Sequence, residues 1–382
     1  MICSILKPAV PVRDVGVTKL PTRRALMGGL IAGTFWAKHS AAAPVQTTES
    51  LTAAPPVFPW LRLLSDLAIT DGPYQGAFRA TPNGPINWYF ANLGLAFVTA
   101  ELPILVRDYL DAYLRSIDPI RIDIADVGMD LKTPIMADSN DAYAGTFLTL
   151  ATKYASVTGD QTWWNRNLVL LKAVAYRNIA AQVKANGLVR AFQAPHENDI
   201  GYLMDQCEAY SGIRDFSQRL LELGDRDAAY FAGFGANLGT AIHSLFDAKA
   251  NRWRWSDVSP AKGDAWYPNL TAQIYPHLCD VHSPDAMGDY YRLRRGYDLI
   301  NQTLPDWMNR PMDSYPWLVV GYYAACRQGQ TANSLSMLST VEEYFLPGLV
   351  NTGRMLISEI GYAKGIIDLA AGQRASVVCV AQ

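Results

Sequence analysis

Apolar residues recur at helical spacing along most of the chain beyond residue 60, and strand-like alternation is scarce. The spacing predicts twelve helices, so we expect an all-α fold. Their predicted ranges are 60–69, 87–100, 103–117, 140–156, 163–184, 202–223, 225–246, 270–279, 284–304, 316–328, 331–345 and 359–371.

The predicted helices alternate in character. One set, which begins near residues 87, 140, 202, 270, 316 and 359, is rich in Ala, Gly and apolar residues on most faces, as a helix buried on all sides should be. The other set carries Arg, Asp, Lys and Gln on one face, as an outer layer should. Six such hairpins predict an (α/α)6 toroid. An open helical solenoid has similar two-helix units, but the irregular unit length and the long one-sided loops favour a closed ring.

The connections between helices are of two kinds. Short junctions contain Gly159, Gly224 and Gly329, each placed where one helix stops and the next begins. Long connections at 118–137, 187–201 and 249–269 all lead into the starts of inner helices. We therefore expect functional residues at that end of the toroid.

Composition narrows the possible functions. The chain has 382 residues, with 33 Lys and Arg against 35 Asp and Glu, so it has no basic excess for nucleic acid. The 10 Trp and 20 Tyr suit flat ligands such as sugar faces, although core packing explains them equally well. No nucleotide-binding or serine-hydrolase motif occurs, and the spacing of His196, His277 and His282 is unlike a metal site. We expect neither a cofactor nor a metal.

Residues 1–43 resemble a twin-arginine export signal. Arg23 and Arg24 precede an apolar run at 27–37, and Ser40 with the alanines after it offers a cleavage site. Residues 44–382 would then form one toroid domain, located in the periplasm or secreted. Nothing later in the chain is long and apolar enough to span a membrane. Disulfides are possible but not indicated for the cysteines of the mature chain, which are Cys207, Cys279, Cys326 and Cys379.

Carboxylates open two of the inner helices. Asp138 and Asp141 stand where a long loop enters the helix at 140, and Asp205 and Glu208 share one face of the helix at 202. Crowded acids raise one another's pKa, which keeps a general acid protonated near neutrality. Helix capping is the alternative for the first pair. For the second pair it is a cap plus an ion pair with an arginine such as Arg190 or Arg214.

Other polar and aromatic residues lie near inner-helix starts and are predicted to bind substrate, with rim packing or capping as the alternative for each. They are Asn87, Trp88, Tyr202, Asp264, Trp266, Tyr267, Gln273, Tyr315, Trp317 and Glu359. Carboxylates and aromatics in one cleft are the composition expected for glycoside hydrolysis. We expect Glu208 or Asp205 to be the proton donor and Asp138 or Asp141 the base.

The twelve alternating helices and the Asp138-Ser139-Asn140-Asp141 helix start resemble the six-hairpin glycosidase superfamily. Family 8 endoglucanases of that superfamily place a catalytic base in such a helix start. The resemblance implies an (α/α)6 toroid, a carbohydrate substrate and cleavage of a polysaccharide or oligosaccharide.

Two rival functions fit the same fold. A polysaccharide lyase needs a Tyr or His base and positive charge for a uronate, which Tyr202, Tyr267, His196 and Arg190 could supply. A non-catalytic glycan-binding toroid that handles exopolysaccharide is the second rival, because fold does not fix function.

Overall fold

A computed structural model describes residues 61–196, 198–281, 295–296, 298–305, 307, 318–327, 329–340 and 356–380. These residues belong to one compact unit. The predicted export signal lies outside them. The helices are α1 (Leu61–Leu67), α2 (Trp88–Leu95), α3 (Pro103–Ser116), α4 (Asn140–Thr158), α5 (Gln161–Asn178), α6 (Leu203–Glu222), α7 (Ala228–His243), α8 (Thr271–Leu278), α9 (Leu318–Arg327), α10 (Thr331–Thr340) and α11 (Ile357–Val380), and residues 298–303 are helical as well.

Six helices form a closed inner ring. Helices α2, α4, α6, α8, α9 and α11 contact one another in that order, and α11 contacts α2. Helices α3, α5, α7 and α10 pack outside the ring, and α1 packs against α11. The (α/α)6 toroid is therefore confirmed and the open solenoid is wrong.

Burial follows the two predicted classes of helix. Helix α4 is buried on nearly every side, consistent with its many small and apolar residues, and Lys153 is its one charged residue beyond the first turn. Outer helix α3 buries a single face, formed by Val106, Tyr109, Leu110, Ala112 and Tyr113. Apolar burial on one stripe of the outer helices and on most faces of the inner ones produces a single continuous core.

Glycines bring inner helices into backbone contact. A Cβ built on Gly145 of α4 would lie 2.5 Å from the carbonyl oxygen of Glu208, and one on Gly212 of α6 would overlap the carbonyl oxygen of Gly145. Helices α2 and α11 meet in the same way at Gly94 and Gly361. Any larger residue would push these helices apart, so the glycines fix how closely the helix starts converge.

The short junctions have the predicted conformation. Gly159, Gly224 and Gly329 have φ angles of 69°, 67° and 87°, in the left-handed region that favours glycine at the end of a helix. No heavy atom lies within 4 Å of a Cβ built on any of them, so the backbone conformation, and not crowding, requires glycine.

The long connections contain small antiparallel strand pairs. Strand β1 (Asp126–Val127) pairs with β2 (Pro134–Ile135), and β3 (Phe246–Asp247) pairs with β4 (Arg252–Trp253). Val127 also exchanges two backbone hydrogen bonds, of 2.9 and 3.1 Å, with Ile86 just before α2. These pairings hold the loops against the starts of the inner helices.

Some helix limits differ from the prediction. The helix expected to reach residue 184 ends at Asn178, whose side-chain amide donates to the carbonyl of Ile122, and a 3-10 turn (Ala180–Gln182) follows. A π turn (Trp266–Leu270) precedes α8. Helix α11 continues to Val380, beyond the predicted 371. The helix predicted at 284–304 lies mostly outside the described residues.

Among the described helices, none combines the length and the apolar character that crossing a membrane requires. Cys207 and Cys279 are free thiols, and the Cys326 thiol donates to the carbonyl oxygen of Ile366 at 3.9 Å.

Candidate active site

Asp126 lies where β1 meets the start of α2. Its Oδ1 accepts the backbone N–H of Trp88 at 3.1 Å, which satisfies one exposed donor of the first helical turn. Its Oδ2 accepts two hydrogen bonds, from Asn87 Nδ2 at 2.7 Å and from Tyr143 Oη at 2.6 Å. Asp126 therefore connects the starts of α2 and α4.

The environment of Asp126 suits a proton donor. Its burial raises the pKa to about 7 although three hydrogen bonds oppose that shift, and the neighbouring charge of Asp138 contributes to it. Asp138 itself is only half-buried. A carboxyl group that titrates near neutrality next to a more accessible carboxylate is a common arrangement for acid and base catalysis.

Asp126 was not among the residues predicted from the sequence. The alternation Ile122-Asp123-Ile124-Ala125-Asp126 lies inside the long connection 118–137, where Asp126 begins the short strand β1. A carboxylate in a strand-like alternation within a loop that leads to an inner helix is the signal that could have identified it.

Asp141, Asp205 and Glu208 form a second group, which we call the buried acid cluster. All three are at least 96 % buried. Asp141 Oδ1 accepts a hydrogen bond from the backbone N–H of Ala142, at 2.9 Å. Burial raises the pKa of Asp141 well above its usual range, and the charges of Asp205 and Glu208 raise it further. Burial and the neighbouring charges therefore both favour the protonated form of Asp141.

Two stacked tyrosines join the buried acid cluster to Asp126. Tyr89 Oη donates to Glu208 Oε1 at 2.6 Å, and Tyr143 Oη donates to Asp126. The rings of Tyr89 and Tyr143 are stacked with centroids 5.8 Å apart. Acids separated by up to 82 positions in the sequence thus share one region at the inner-helix starts.

The four predicted catalytic acids occupy two places within this region. Asp141 follows the helix start and faces α6, whereas Asp138 precedes the N-cap residue Ser139. Ser139 is extended, with φ −158° and ψ 153°, so Asp138 belongs to the incoming loop and lies near Asp126. Ser139 makes no side-chain capping hydrogen bond.

Two amides predicted to bind substrate are already fully engaged. Both donor hydrogens of Asn87 are used, one by Asp126 and one by Tyr143, and its oxygen caps α2 by accepting the N–H of Phe90. Gln273 is 1 % exposed and donates to the carbonyl oxygens of Trp253 and Asn269. These expectations are corrected, because neither amide has a free donor for a sugar hydroxyl.

Two tryptophans predicted as sugar platforms are core residues. Trp88 is fully buried, and its indole N–H donates to the carbonyl of Ala125 at 3.0 Å. Trp266 is buried and stacks on Trp307, which stacks in turn on Tyr322. Neither ring face is open, so these two expectations are also corrected.

Two predicted acids have other roles. Asp264 is exposed and pairs with Arg252 at 3.4 Å. Glu359 is fully buried in α11, and its Oε2 accepts the N–H of Val319 at the start of α9. Burial raises the pKa of Glu359 well above its usual range, and this side chain joins two inner-helix starts. Tyr315 and Trp317 lie outside the described residues.

The remaining aromatics lie on the rim of this region. Tyr202 and Tyr267 are half-buried. The ring of Tyr202 is stacked parallel to that of Trp255, with centroids 6.1 Å apart and an interplanar angle of 7°. Trp255, which the sequence analysis did not single out, is half-buried too, so the pair offers a flat, partly open surface.

The arginines and the histidine that the alternative interpretations use make other contacts in the structure. Arg190 pairs with Asp199 at 2.7 Å and Arg214 pairs with Asp215 at 2.8 Å. His196 is exposed and stacks on Phe192. Within the described ranges, no three His, Cys, Asp or Glu side chains are arranged to hold a metal ion.

Comparison with solved structures supports the fold. No protein-family model matches the chain. No curated protein sequence matches it significantly. Among solved structures, a rhamnosidase from Klebsiella oxytoca with rhamnose bound aligns at 15 % identity and a TM-score of 0.53, over 87 % of this chain and 66 % of that one.

Two further rhamnosidase structures are more distant. A GH78 family rhamnosidase of Bacillus sp. GL1 aligns at 15 % identity and a TM-score of 0.43, over 61 % of this chain and 26 % of that one. An α-L-rhamnosidase described as from Dictyoglumus thermophilum aligns at 12 % identity and 0.46, over 78 % and 35 %. The chain therefore spans just under two thirds of the Klebsiella enzyme and about a third or less of the other two. The toroid of this chain is similar to the helical fold of a glycoside hydrolase.

Proposed function

We propose that this protein is a glycoside hydrolase whose active site lies at the starts of the inner helices. The observation that carries the proposal is the pair Asp126 and Asp138, in which a buried carboxyl group with a pKa of about 7 lies beside an accessible one. Glycoside hydrolysis requires two such groups with different protonation states at one pH.

In this mechanism Asp126 is protonated and delivers its proton to the glycosidic oxygen. Tyr143 and Asn87 hold its Oδ2, so the group has a fixed orientation before substrate arrives. Asp138 takes the proton of the attacking water. The proposal assigns the donor role to Asp126 in place of Glu208 or Asp205, because Asp126 lies next to the more accessible Asp138.

The buried acid cluster has a supporting role. The transition state of glycoside cleavage carries positive charge on the sugar ring. Partial negative charge on Asp141, Asp205 and Glu208 favours that charge, and the bond from Tyr89 to Glu208 fixes its position.

The substrate is a polysaccharide or oligosaccharide with a ring that packs on Tyr202 and Trp255. The structural similarity to a rhamnosidase with rhamnose bound makes α-L-rhamnosides the first substrates to test. Other pyranosides follow in the same assay, since the fold alone does not select the sugar.

The test is incubation of the purified protein with aryl glycosides and bacterial polysaccharides. We expect new reducing ends without the ultraviolet absorbance of an unsaturated sugar. Asp126→Asn and Asp138→Asn should each lose about 10² or more in rate. Asp108→Asn, an exposed carboxylate on outer helix α3, is the matched control and should keep full activity.

Other outcomes would contradict this proposal. Ultraviolet absorbance from cleaved polysaccharide would show a lyase. Glycans that bind but are never shortened would show a binding module. Full activity in both Asp126→Asn and Asp138→Asn would place the active site elsewhere.

We also propose that the protein is exported by the twin-arginine route to the periplasm or the medium. Support comes from Arg23 and Arg24 before the apolar run at 27–37. Changing both arginines to lysine should leave the protein in the cytoplasmic fraction with its amino-terminal segment uncleaved. Unchanged export of that variant would contradict this route.

A further inference from the structure

A cavity of about 590 Å³ lies away from the candidate active site, between the C-terminal halves of α4 and α6 and the middle of α7. It begins beyond the contact of Gly145 with Gly212, towards the opposite end of the inner helices. Its volume is in the range of small-ligand sites.

The α4 wall of this cavity is a polar stripe. Thr149, Thr152, Lys153 and Ser156 follow the i, i+3, i+4, i+7 pattern that places residues on one helix face. Because α4 belongs to the inner ring, residues at this spacing are expected to be apolar. Three hydroxyls and an ammonium group at these positions instead give donors and acceptors for a polyhydroxylated ligand.

Two buried polar atoms of residues in the wall have no hydrogen-bond partner among the residues that the structure describes. One is Oγ1 of Thr152, a residue that is 7 % exposed, and the other is Nε of Arg219 on α6. The other guanidinium nitrogens of Arg219 are taken by Glu222 at 3.1 Å and Gln161 at 3.2 Å. Buried polar atoms are nearly always paired, so two unpaired ones in a single cavity wall indicate a missing partner.

The cavity also carries one uncompensated positive charge. Of the acids in its wall, Asp215 is paired with Arg214 at 2.8 Å and Glu222 is paired with Arg219. Lys153 makes no ion pair with any residue in the part of the chain that the structure describes, and its ammonium lies 5.4 Å from the ring centre of Phe97. An anion in the cavity would neutralise it.

We propose that this cavity is a second carbohydrate-binding site, for an anionic sugar such as a uronic acid residue. The carboxylate pairs with Lys153, and the sugar hydroxyls bond to the polar stripe. The site does not depend on the hydrolytic mechanism, so binding there can be measured whether or not the protein cleaves glycans.

The test is calorimetric titration of the full-length Asp126→Asn protein, which prevents turnover, with digalacturonic acid. Maltose serves as a neutral sugar of the same size and inorganic phosphate as a plain anion. We expect digalacturonic acid to bind and the two controls to bind at least tenfold more weakly. Lys153→Met should weaken binding about tenfold or more, and Lys249→Met, an exposed lysine in a distant turn, should not change it.

Thr152→Val keeps the shape of the side chain and removes the hydroxyl. It should weaken binding several-fold while the melting temperature stays equal or rises, because an unpaired buried hydroxyl is removed. Absence of digalacturonic acid binding, equal binding by Lys153→Met, or equal affinity for maltose or phosphate would each overturn the proposal.

Discussion

Gly145 of α4 lies against Gly212 of α6, with no room for a Cβ on either residue. Asp141 lies one helical turn before Gly145, and Glu208 lies one turn before Gly212. Because residues four apart share a helix face, the glycine contact also brings the two acids to the same interface. The buried acid cluster is thus a consequence of close helix packing.

The first prediction concerns that packing. Gly145→Ala or Gly212→Ala should destabilise the protein by about 1–3 kcal/mol, because a methyl group would meet backbone that cannot move aside. Gly233→Ala in outer helix α7, where a Cβ meets nothing within 4 Å, should stabilise it by roughly 0.5–1 kcal/mol. Urea unfolding measures both. If Gly233→Ala changed the stability as much as Gly145→Ala or Gly212→Ala does, the tight contact would be contradicted.

The second prediction concerns the pH dependence of stability. Asp126 has a folded-state pKa of about 7, above the unfolded value, so the folded state binds the extra proton and stability falls as pH rises through this window. The loss amounts to at most about 4 kcal/mol between pH 4 and pH 8.

Asp126→Asn should make the free energy of unfolding less dependent on pH by that amount. Asp108→Asn should leave the dependence unchanged. Urea unfolding at pH 4 and pH 8 compares them, and an unaltered slope in Asp126→Asn would show that Asp126 ionises normally.

The third prediction concerns the rim aromatics. Tyr202→Ala and Trp255→Ala should each raise KM about tenfold with little change in kcat, since a stacked ring contributes roughly 1 kcal/mol or more to sugar binding. Tyr176→Ala removes an exposed ring from outer helix α5 and should have no effect. A fall in kcat without a change in KM would contradict a platform role.

The fourth prediction concerns two equivalent glutamines. The side chains of Gln206 and Gln273 each bond to both the N–H and the C=O of one loop residue, Val189 and Trp253 respectively. Either change to Leu should cost about 1–3 kcal/mol, because it leaves buried backbone groups unpaired.

Only Gln206 also donates to Asp141, at 3.3 Å. Gln206→Leu should therefore shift the pH dependence of kcat/KM, whereas Gln273→Leu should lower stability alone. Identical pH profiles for the two variants would remove Gln206 from the support of the acid cluster.

The sequence predicted the architecture because periodicity and glycine placement are local signals. The junction residues Gly159 and Gly224 and the all-round burial of α4 follow directly from those signals. The site was harder to predict, because the sequence pattern of a helix start is the same whether its polar residue contacts a ligand or the backbone. Gln273 is such a case, since its partner Trp253 is fixed by a strand pair that the sequence analysis did not resolve.

Asp126 shows a second reason why the site was hard to predict from the sequence. Its pKa depends on burial and on hydrogen bonds from Asn87 and Tyr143, which are distant in sequence. No local pattern contains that information, whereas the close spacing of Asp205 and Glu208 made them visible at once.

The most direct measurement is a crystal structure of the full-length Asp126→Asn protein with a bound oligosaccharide. We expect a glycosidic oxygen within about 2.6–3.2 Å of the residue 126 side chain. We also expect Asp138 to lie on the far side of the glycosidic bond and a sugar ring to pack on Tyr202 and Trp255. A saccharide bound elsewhere, with no ring between residues 126 and 138, would contradict it.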